Sequence, residues 1–358
     1  MRHFYLDFIF TAIALAVAAW WGYSHGGMGG LITTLSITAI LAVMEISLSF
    51  DNAVVNASVL KGWDEFWKKI FLTVGILVAV FGMRLVFPIV IVAVTADLGI
   101  MQVIDLALND PKEYSARLLA HHAEISAFGG IFLLLVFLNF IFDEKEVHWF
   151  NWLESRLAKL GKVDAMSVFV ALIVLMIAVS WANAEQSSAV LIAGVWGILV
   201  YLGVQVVSGM LDGDLEEDLE NEENGSGAAA TSAIMKGGII GFLYLEVLDA
   251  SFSFDGVIGA FAITNDVIVI MLGLAIGAMF VRSMTIFLVD KGTLDEFVYL
   301  EHGAHYAIGA LAIIMLLSVK FHVPELITGL IGIAFIGWAF VASLNYRKAE
   351  KAKATHLN

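Results

Sequence analysis

The chain of 358 residues contains no cysteine, only 3 prolines and only 15% charged residues. The lack of cysteine excludes disulfides, cysteine-ligated zinc, iron–sulfur clusters and thiol catalysis. Soluble domains carry about 25% charged residues, so this low content argues against a soluble protein. A net charge of −15 disfavours nucleic-acid binding, which needs a basic surface. The sequence motifs of nucleotide-binding and hydrolytic enzymes are also missing, and we do not expect an enzyme.

Apolar residues make up 60% of the chain and occur in long runs. Because a helix of about 20 apolar residues crosses a bilayer, these runs predict an all-α polytopic membrane protein with ten transmembrane helices. The longest runs exceed one crossing, so their helices would tilt, bend or project. The predicted spans cover residues 5–22, 31–57, 70–96, 124–142, 166–182, 188–210, 234–262, 267–289, 303–319 and 325–343.

The distribution of lysine and arginine predicts the orientation. With ten spans, both termini and every second loop lie on one side, which carries 14 of the 19 basic residues, against 3 on the other side. The positive-inside rule places the richer side, with both termini, in the cytoplasm. The run at 5–22 also fits a signal peptide, although the repeat described next favours a retained span.

Two decapeptides match across the chain: EISLSFDNAV at 45–54 and DASFSFDGVI at 249–258. A glycine and an arginine nine residues apart follow each decapeptide. These pairs are Gly75 with Arg84 and Gly273 with Arg282. The copies lie on spans 2 and 7, which are five spans apart and so cross in opposite directions. The pattern predicts an inverted repeat, with 1–183 as the first half, 184–344 as the second half and 345–358 as a basic cytoplasmic tail.

Ionisable side chains inside a membrane span cost about 2.5–3.5 kcal/mol each on insertion scales, so those of the repeat need partners or a function. Carboxylate, amide and hydroxyl oxygens suit hard or borderline divalent cations such as Mn²⁺, Ca²⁺ and Mg²⁺. Protons would also neutralise the acids, and in a purely structural interpretation the acids and serines satisfy one another and the arginines. The candidate metal ligands are Glu45, Ser49, Asp51, Asn52, Glu246, Asp249, Ser253 and Asp255.

Helical spacing separates the acids of each copy. Glu45 and Asp51 lie about 120° apart on an unbroken helix, so both reach one ion only if the helix unwinds near 49–52 or if the ion lies between faces. Gly256 stands where the first copy has Asn52, and glycine would favour a break in the second copy.

Further polar residues flank this set. Arg84 and Arg282 are candidate charge partners of the acids. Histidine titrates near neutral pH, so histidines at the starts of spans 4 and 9 are candidates for a proton relay, although they also fit an interfacial polar role. The relay candidates are His122, Glu124, His302 and His305.

Two cytoplasmic loops differ in composition. Residues 211–224 contain eight acids and no base, and small residues continue the loop to 233. This composition predicts a disordered tether, or a segment that collects cations or recruits soluble partners. Aromatic residues among charges at 143–164 predict an interfacial amphipathic helix. The glycine pairs 129–130 and 273–277 predict close helix packing.

The first decapeptide resembles the E-x-S-L-S-x-D-N-A-x signature of TerC-family integral membrane proteins. The whole chain is similar to the longer bacterial members, once catalogued as a domain of unknown function. That family belongs with LysE-type exporters and is associated with tellurium resistance and with efflux of manganese or other divalent metals. The resemblance therefore implies metal export across the bacterial cytoplasmic membrane. The metal-site positions that it implies are Glu45, Asp51, Asn52, Asp249 and Asp255.

Together these features predict a secondary transporter that exports a divalent metal ion, with Mn²⁺ ahead of Ca²⁺ as the cargo and no resident cofactor. Two alternatives remain open at this point. One is a membrane scaffold of a metal- or tellurite-stress complex, and the other is a proton- or sodium-coupled exporter of a small solute.

Overall fold

The computed structural model describes residues 4–75, 77–95, 98–145, 147–159, 161, 165–213, 238–290, 297–321 and 323–356, and the regular structure within them is helical. The helices are α1 (Tyr5–Leu48), α2 (Phe50–Leu60), α3 (Glu65–Ile70), two π-helical stretches (Phe71–Gly75 and Val78–Val86), α4 (Phe87–Thr95), α5 (Ile100–Asn109), α6 (Pro111–Ala120), α7 (His122–Phe142), α8 (Asn151–Leu157), α9 (Met166–Trp181), α10 (Ser187–Gly213), α11 (Ile239–Ile263), α12 (Val267–Asp290), α13 (Leu300–Ser318) and α14 (Glu325–His356).

Six of the described helices are long and apolar enough to cross a membrane: α1, α7, α10, α12, α13 and α14. Shorter apolar helices occupy Phe81–Ala93, Ile100–Asn109 and Met166–Trp181. The chain is therefore a helical protein of membrane type. Each of the ten predicted spans overlaps a helix or a helical arm, but only six of the described helices are both long enough and apolar enough to cross.

Helix α1 is a hairpin of two arms. Gly27 leaves the helical conformation with a φ of +57°, a value that glycine adopts without strain. Beyond it the chain folds back on itself. The hydrogen bond that Thr34 Oγ1 donates to the Ala18 carbonyl, at 3.0 Å, joins the two sides of the turn. We call residues 5–25 the first arm and residues 28–48 the second arm. They correspond to the first two predicted spans.

The two decapeptides differ in helical continuity. In the first copy the helix is interrupted at Ser49, between α1 and α2, at the point where the sequence suggested unwinding. In the second copy α11 runs unbroken through Gly256, so the expected break there is wrong. A Cβ on Gly256 would lie 2.7 Å from Glu45 Oε2. This glycine therefore permits a close approach rather than a break.

The third predicted span is wound unusually. Phe71–Gly75 and Val78–Val86 are π-helical before α4 completes the span. Most π-helices are single turns inserted in α-helices, and they occur frequently at functional sites. We call these two stretches together the π-wound segment.

Helices α7 and α13 pack against each other in antiparallel directions. A Cβ on Gly129 would lie 2.8 Å from Met315 Cε, and a Cβ on Gly309 would lie 2.7 Å from Phe137 Cγ. The partner's residue number thus falls as the number along α7 rises. The close packing predicted for 129–130 is confirmed.

The second arm of α1 and helix α12 pack in parallel. A Cβ on Gly273 would lie 2.6 Å from Leu41 Cβ, and one turn later a Cβ on Gly277 would collide with the Glu45 side chain. Both residue numbers rise together. The glycine pair 273–277, predicted to allow close packing, brings the backbone of α12 directly against Glu45.

Candidate cation site

Glu45 lies on the second arm of α1 and is only 1% exposed. Its Oε1 accepts a hydrogen bond from Ser49 Oγ at 3.0 Å and another from Arg84 Nη2. Arg84 comes from the π-wound segment and forms a buried ion pair with Glu45. Removing either partner of such a pair would leave a buried charge without compensation. Arg84 is therefore an ion-pair partner of the first-copy acid.

Asp249 is the counterpart of Glu45 on α11, and it is held by residues of the first copy. Asn52 donates a hydrogen bond to its Oδ1, and Asn56 donates another to its carboxylate. The charges of Arg84 and Glu45 also act on Asp249, the first attractively and the second repulsively. The two motifs therefore meet in the fold, and their acids share one arginine.

Glu246 lies one helical turn before Asp249 and interacts with it electrostatically. Glu246 is only 8% exposed, yet no described residue donates a hydrogen bond to either of its carboxylate oxygens. Ser253 Oγ is also buried without a hydrogen-bond partner among the described residues. Buried polar groups are nearly always satisfied by protein, water or an ion, so these atoms are candidates to bind a ligand.

A glycine of the π-wound segment lets the backbone approach Glu246. A Cβ on Gly75 would lie 2.6 Å from Glu246 Oε1. Since Arg84 of the same segment reaches Glu45, this segment contacts acids of both copies. It is the structural bridge of the site.

The remaining two predicted acids cannot be placed in this arrangement. The backbones of Asp51 and Asp255 belong to α2 and α11, but their side chains lie outside the described residues. Among the described residues, no three histidine, aspartate or glutamate side chains form a group that could hold a metal ion. A site with three protein acids as ligands would therefore include Asp51 or Asp255, or require side chains to move.

Arg282 on α12 has a different kind of partner from Arg84. It interacts with the charge of Asp7, which lies on the first arm and is 1% exposed, and Asp7 also faces Ser283. The sequence predicted Arg282 as a charge partner of the motif acids. The partner that the structure gives it is an acid outside both decapeptides.

Residues 50–350 match a family model described as "Protein of unknown function (DUF475)". The chain belongs to this family. The match covers the site residues from Asn52 to Asp255 and begins after Glu45. No curated protein and no solved structure matches the chain. Membership of the TerC family and the link to LysE-type exporters stay predictions.

One histidine cluster of this DUF475 protein lies at the start of α7. His122 Nε2 is 3.3 Å from Ser126 Oγ, and Glu124 Oε1 is 3.6 Å from His121 Nδ1. These contacts are local and partly exposed. They bring together neighbours along the chain at the start of one helix.

The second histidine cluster lies at the start of α13. Because α7 and α13 are antiparallel, the two clusters lie at opposite ends of the helix pair. His302 Nε2 donates to the Val147 carbonyl at 3.0 Å and lies 3.5 Å from Glu154 Oε2. His305 stacks on the Phe140 ring with 3.8 Å between centroids.

Glu154 anchors the loop between α7 and α9 to this second cluster. Its carboxylate accepts hydrogen bonds from the backbone N–H groups of Trp149 and Phe150 at 3.1 and 3.3 Å and from Tyr306 Oη at 3.0 Å. Burial alone would raise the pKa of Glu154, but the hydrogen bond and charge of His302 and these donors outweigh it and lower the pKa to about 2. The loop contains a short helix, α8, within the range predicted to be helical. Trp149 and Phe150, which precede it, pack against Tyr306 and Trp338.

Sequence reasoning missed Asp7, Asn56 and Glu154. Asp7 had a usable signal, since it is an acid within an apolar run. Asn56 lies four residues after Asn52 and so on the same helical face. Glu154 had no signal, because one acid in a charged loop is unremarkable.

Of the predicted acidic loop, 211–213 end α10 and the rest lies outside the described residues.

Proposed function

We propose that this protein is a secondary transporter that moves a divalent metal ion out of the bacterial cytoplasm, with Mn²⁺ as the first candidate cargo. The observation that supports this most is a buried cluster in which Glu45 and Asp249 share Arg84, and Glu246 interacts with Asp249. Its described acids outnumber its described base, so a cation would complete the charge balance. Carboxylate, amide and hydroxyl oxygens favour a hard or borderline ion.

The proposal includes ten crossings in two inverted repeats, 1–183 and 184–344. Helices α7 and α13 hold matching places in the two halves and run antiparallel, as inversion requires. The second arm of α1 matches α11, and it runs parallel to α12. Because α12 would cross back after α11, the second arm and α11 would run in opposite directions, as inversion requires. The cluster lies where the two halves meet, which is where many transporters with such repeats bind their substrate.

Contacts at the ends of the spans support the count of crossings. At one end Trp21 Nε1 donates to Asp266 Oδ2 at 2.9 Å, which joins the end of the first predicted span to the seventh predicted loop. At the other end the Tyr299 N–H donates to Ser343 Oγ at 2.9 Å, which joins the eighth loop to the end of the last span. The first span thus ends beside the seventh loop, and the eighth loop contacts the C-terminal side. Both termini would then be cytoplasmic by the positive-inside rule.

In this proposal Asp51 and Asp255 complete the ligand set, and the TerC-like signature is the metal-binding motif that its resemblance implies. The histidine clusters at opposite ends of α7 and α13 would serve the two mouths of the pathway as proton relays. Protons or the ion gradient itself would drive transport.

The test is uptake of Mn²⁺ into inverted membrane vesicles, in which export appears as accumulation. Asp249→Asn should abolish uptake, because it removes a buried carboxylate at the junction of the halves. Asp105→Asn is the matched control. Asp105 lies on α5, away from the cluster, and its Oδ1 accepts a hydrogen bond from Asn109 Nδ2 at 2.6 Å. Equal uptake by Asp249→Asn and the unaltered chain would refute the site.

A further inference from the structure

The two arginines of the repeat have the same sequence spacing from a glycine but different helical winding. An α-helix turns about 100° per residue, so nine residues place two side chains on opposite faces. A π-helix, with i→i+5 hydrogen bonds, turns about 80° per residue, so nine residues bring two side chains back to one face. The spacing from Gly75 to Arg84 is wound mostly as π, and the spacing from Gly273 to Arg282 lies within α12.

The contacts agree with this difference. Gly75 lies against Glu246 and Arg84 pairs with Glu45, so both face the acid cluster. On α12, Gly273 faces the second arm of α1, whereas Arg282 interacts with Asp7 on the first arm. The π winding is therefore what turns a guanidinium into the cluster in the first copy.

The cluster also contains groups that this guanidinium does not satisfy. Both oxygens of Glu246 and the Oγ of Ser253 are buried without a hydrogen-bond partner among the described residues. Arg84 supplies one positive charge, and it is delivered by a backbone conformation that is rarely so long. The α-wound second copy shows that the same glycine–arginine spacing also exists with the arginine turned away.

We infer that Arg84 is a tethered counter-cation that occupies the acid cluster when no metal ion is bound, and that an arriving divalent cation displaces it as the π-wound segment rewinds toward the α form. This rests on the proposed function. The guanidinium keeps the buried acids neutralised in the empty carrier, where bare charges would be costly. The metal ion and Arg84 then compete for the same carboxylates, and the apparent metal affinity is set by that competition.

The first experiment measures Mn²⁺ binding to the purified full-length chain. Arg84→Ala should bind Mn²⁺ roughly tenfold tighter, because no internal cation has to be displaced. Arg282→Ala, the matched control at the equivalent repeat position, should leave the affinity unchanged. Added guanidinium ion should then weaken Mn²⁺ binding to Arg84→Ala and have no effect on Arg282→Ala. If guanidinium instead restores or strengthens binding to Arg84→Ala, Arg84 is a structural residue and the inference fails.

The second experiment uses the unaltered chain and so does not depend on the folding of a variant. Amide hydrogen exchange of residues 71–86 should slow at saturating Mn²⁺, since the α form has the better hydrogen bonds, while residues 269–284 of α12 should exchange as before. Unchanged exchange at 71–86 with Mn²⁺ bound would overturn the rewinding.

Failure of the proposed function gives a different result. In that case the unaltered chain binds no Mn²⁺, or Asp249→Asn binds it equally well. If the chain binds Mn²⁺ in a manner that depends on Asp249, but Arg84→Ala binds no tighter, only the counter-cation inference is wrong.

Discussion

Arg84 and Arg282 occupy equivalent positions in the two copies of the repeat, yet they lie in different surroundings. Arg84 is 7% exposed and pairs with a motif acid, whereas Arg282 is less deeply buried and interacts with Asp7 on the first arm. The same spacing from a glycine is wound as π in one copy and as α in the other. A duplicated sequence pattern thus fixes which residue types are present, while packing decides which way they face.

The largest expected effect concerns the acid partner of each arginine. Glu45→Gln leaves Arg84 buried without its ion-pair partner and should lower the free energy of unfolding by about 3–5 kcal/mol. Asp7→Asn should cost less, about 1–3 kcal/mol, because Arg282 is more accessible. Unfolding in detergent, followed by circular dichroism, measures both. Equal losses would mean that the two arginines are not held differently.

The next effect concerns the glycines that let α11 and α12 approach Glu45. Gly277→Ala should destabilise the protein by about 1–3 kcal/mol, since the new methyl group would overlap the Glu45 side chain. Gly256→Ala should mainly displace the Glu45 carboxylate, and so lower Mn²⁺ uptake by the proposed transporter. Gly337→Ala on α14 is the control, because nothing lies within 4 Å of its added Cβ. A stability loss at Gly337→Ala as large as that at Gly277→Ala would contradict the close approach.

A smaller effect concerns Glu154 and the second histidine cluster, at the start of α13. Glu154→Gln should cost about 1–3 kcal/mol near neutral pH, because it weakens several buried hydrogen bonds. The pKa of Glu154 is lowered from 4.5 to about 2, so its stabilising contribution is present above the ordinary value and disappears as the pH falls through that window. The difference in melting temperature between Glu154→Gln and the unaltered chain should therefore shrink between about pH 4.5 and pH 2. A difference that persists at the acidic end would show that the charge of Glu154 is not its source.

The smallest effect is expected at the first histidine cluster, at the start of α7. Glu124 lies 3.6 Å from His121 in a partly exposed pair, so Glu124→Gln should change the stability by less than about 1 kcal/mol. The same melting experiment compares it with Glu154→Gln. A larger loss for Glu124→Gln than for Glu154→Gln would reverse the comparison of the two histidine clusters.

Much of the helical layout and part of the site followed from sequence. Apolar runs located the helices, and the matched decapeptides identified Glu45, Asn52 and Asp249, which do come together. The break at Gly256 was wrong because a glycine needed for close packing cannot be told from one needed for a bend. The partner of Arg282 was missed because Asp7 belongs to neither motif and meets α12 only after the first arm folds back.

Composition and residue spacing were enough to establish the membrane class, the absence of thiol chemistry and the duplication of acids and arginines, because they are properties of the chain alone. The folded chain was needed to show that Asn52 of the other copy holds Asp249, and that Arg84 faces the acid cluster while Arg282 faces Asp7. This is so because the winding of a helix over nine residues depends on what packs against it. A change of about 20° per residue, accumulated over that distance, carries a side chain to the opposite face.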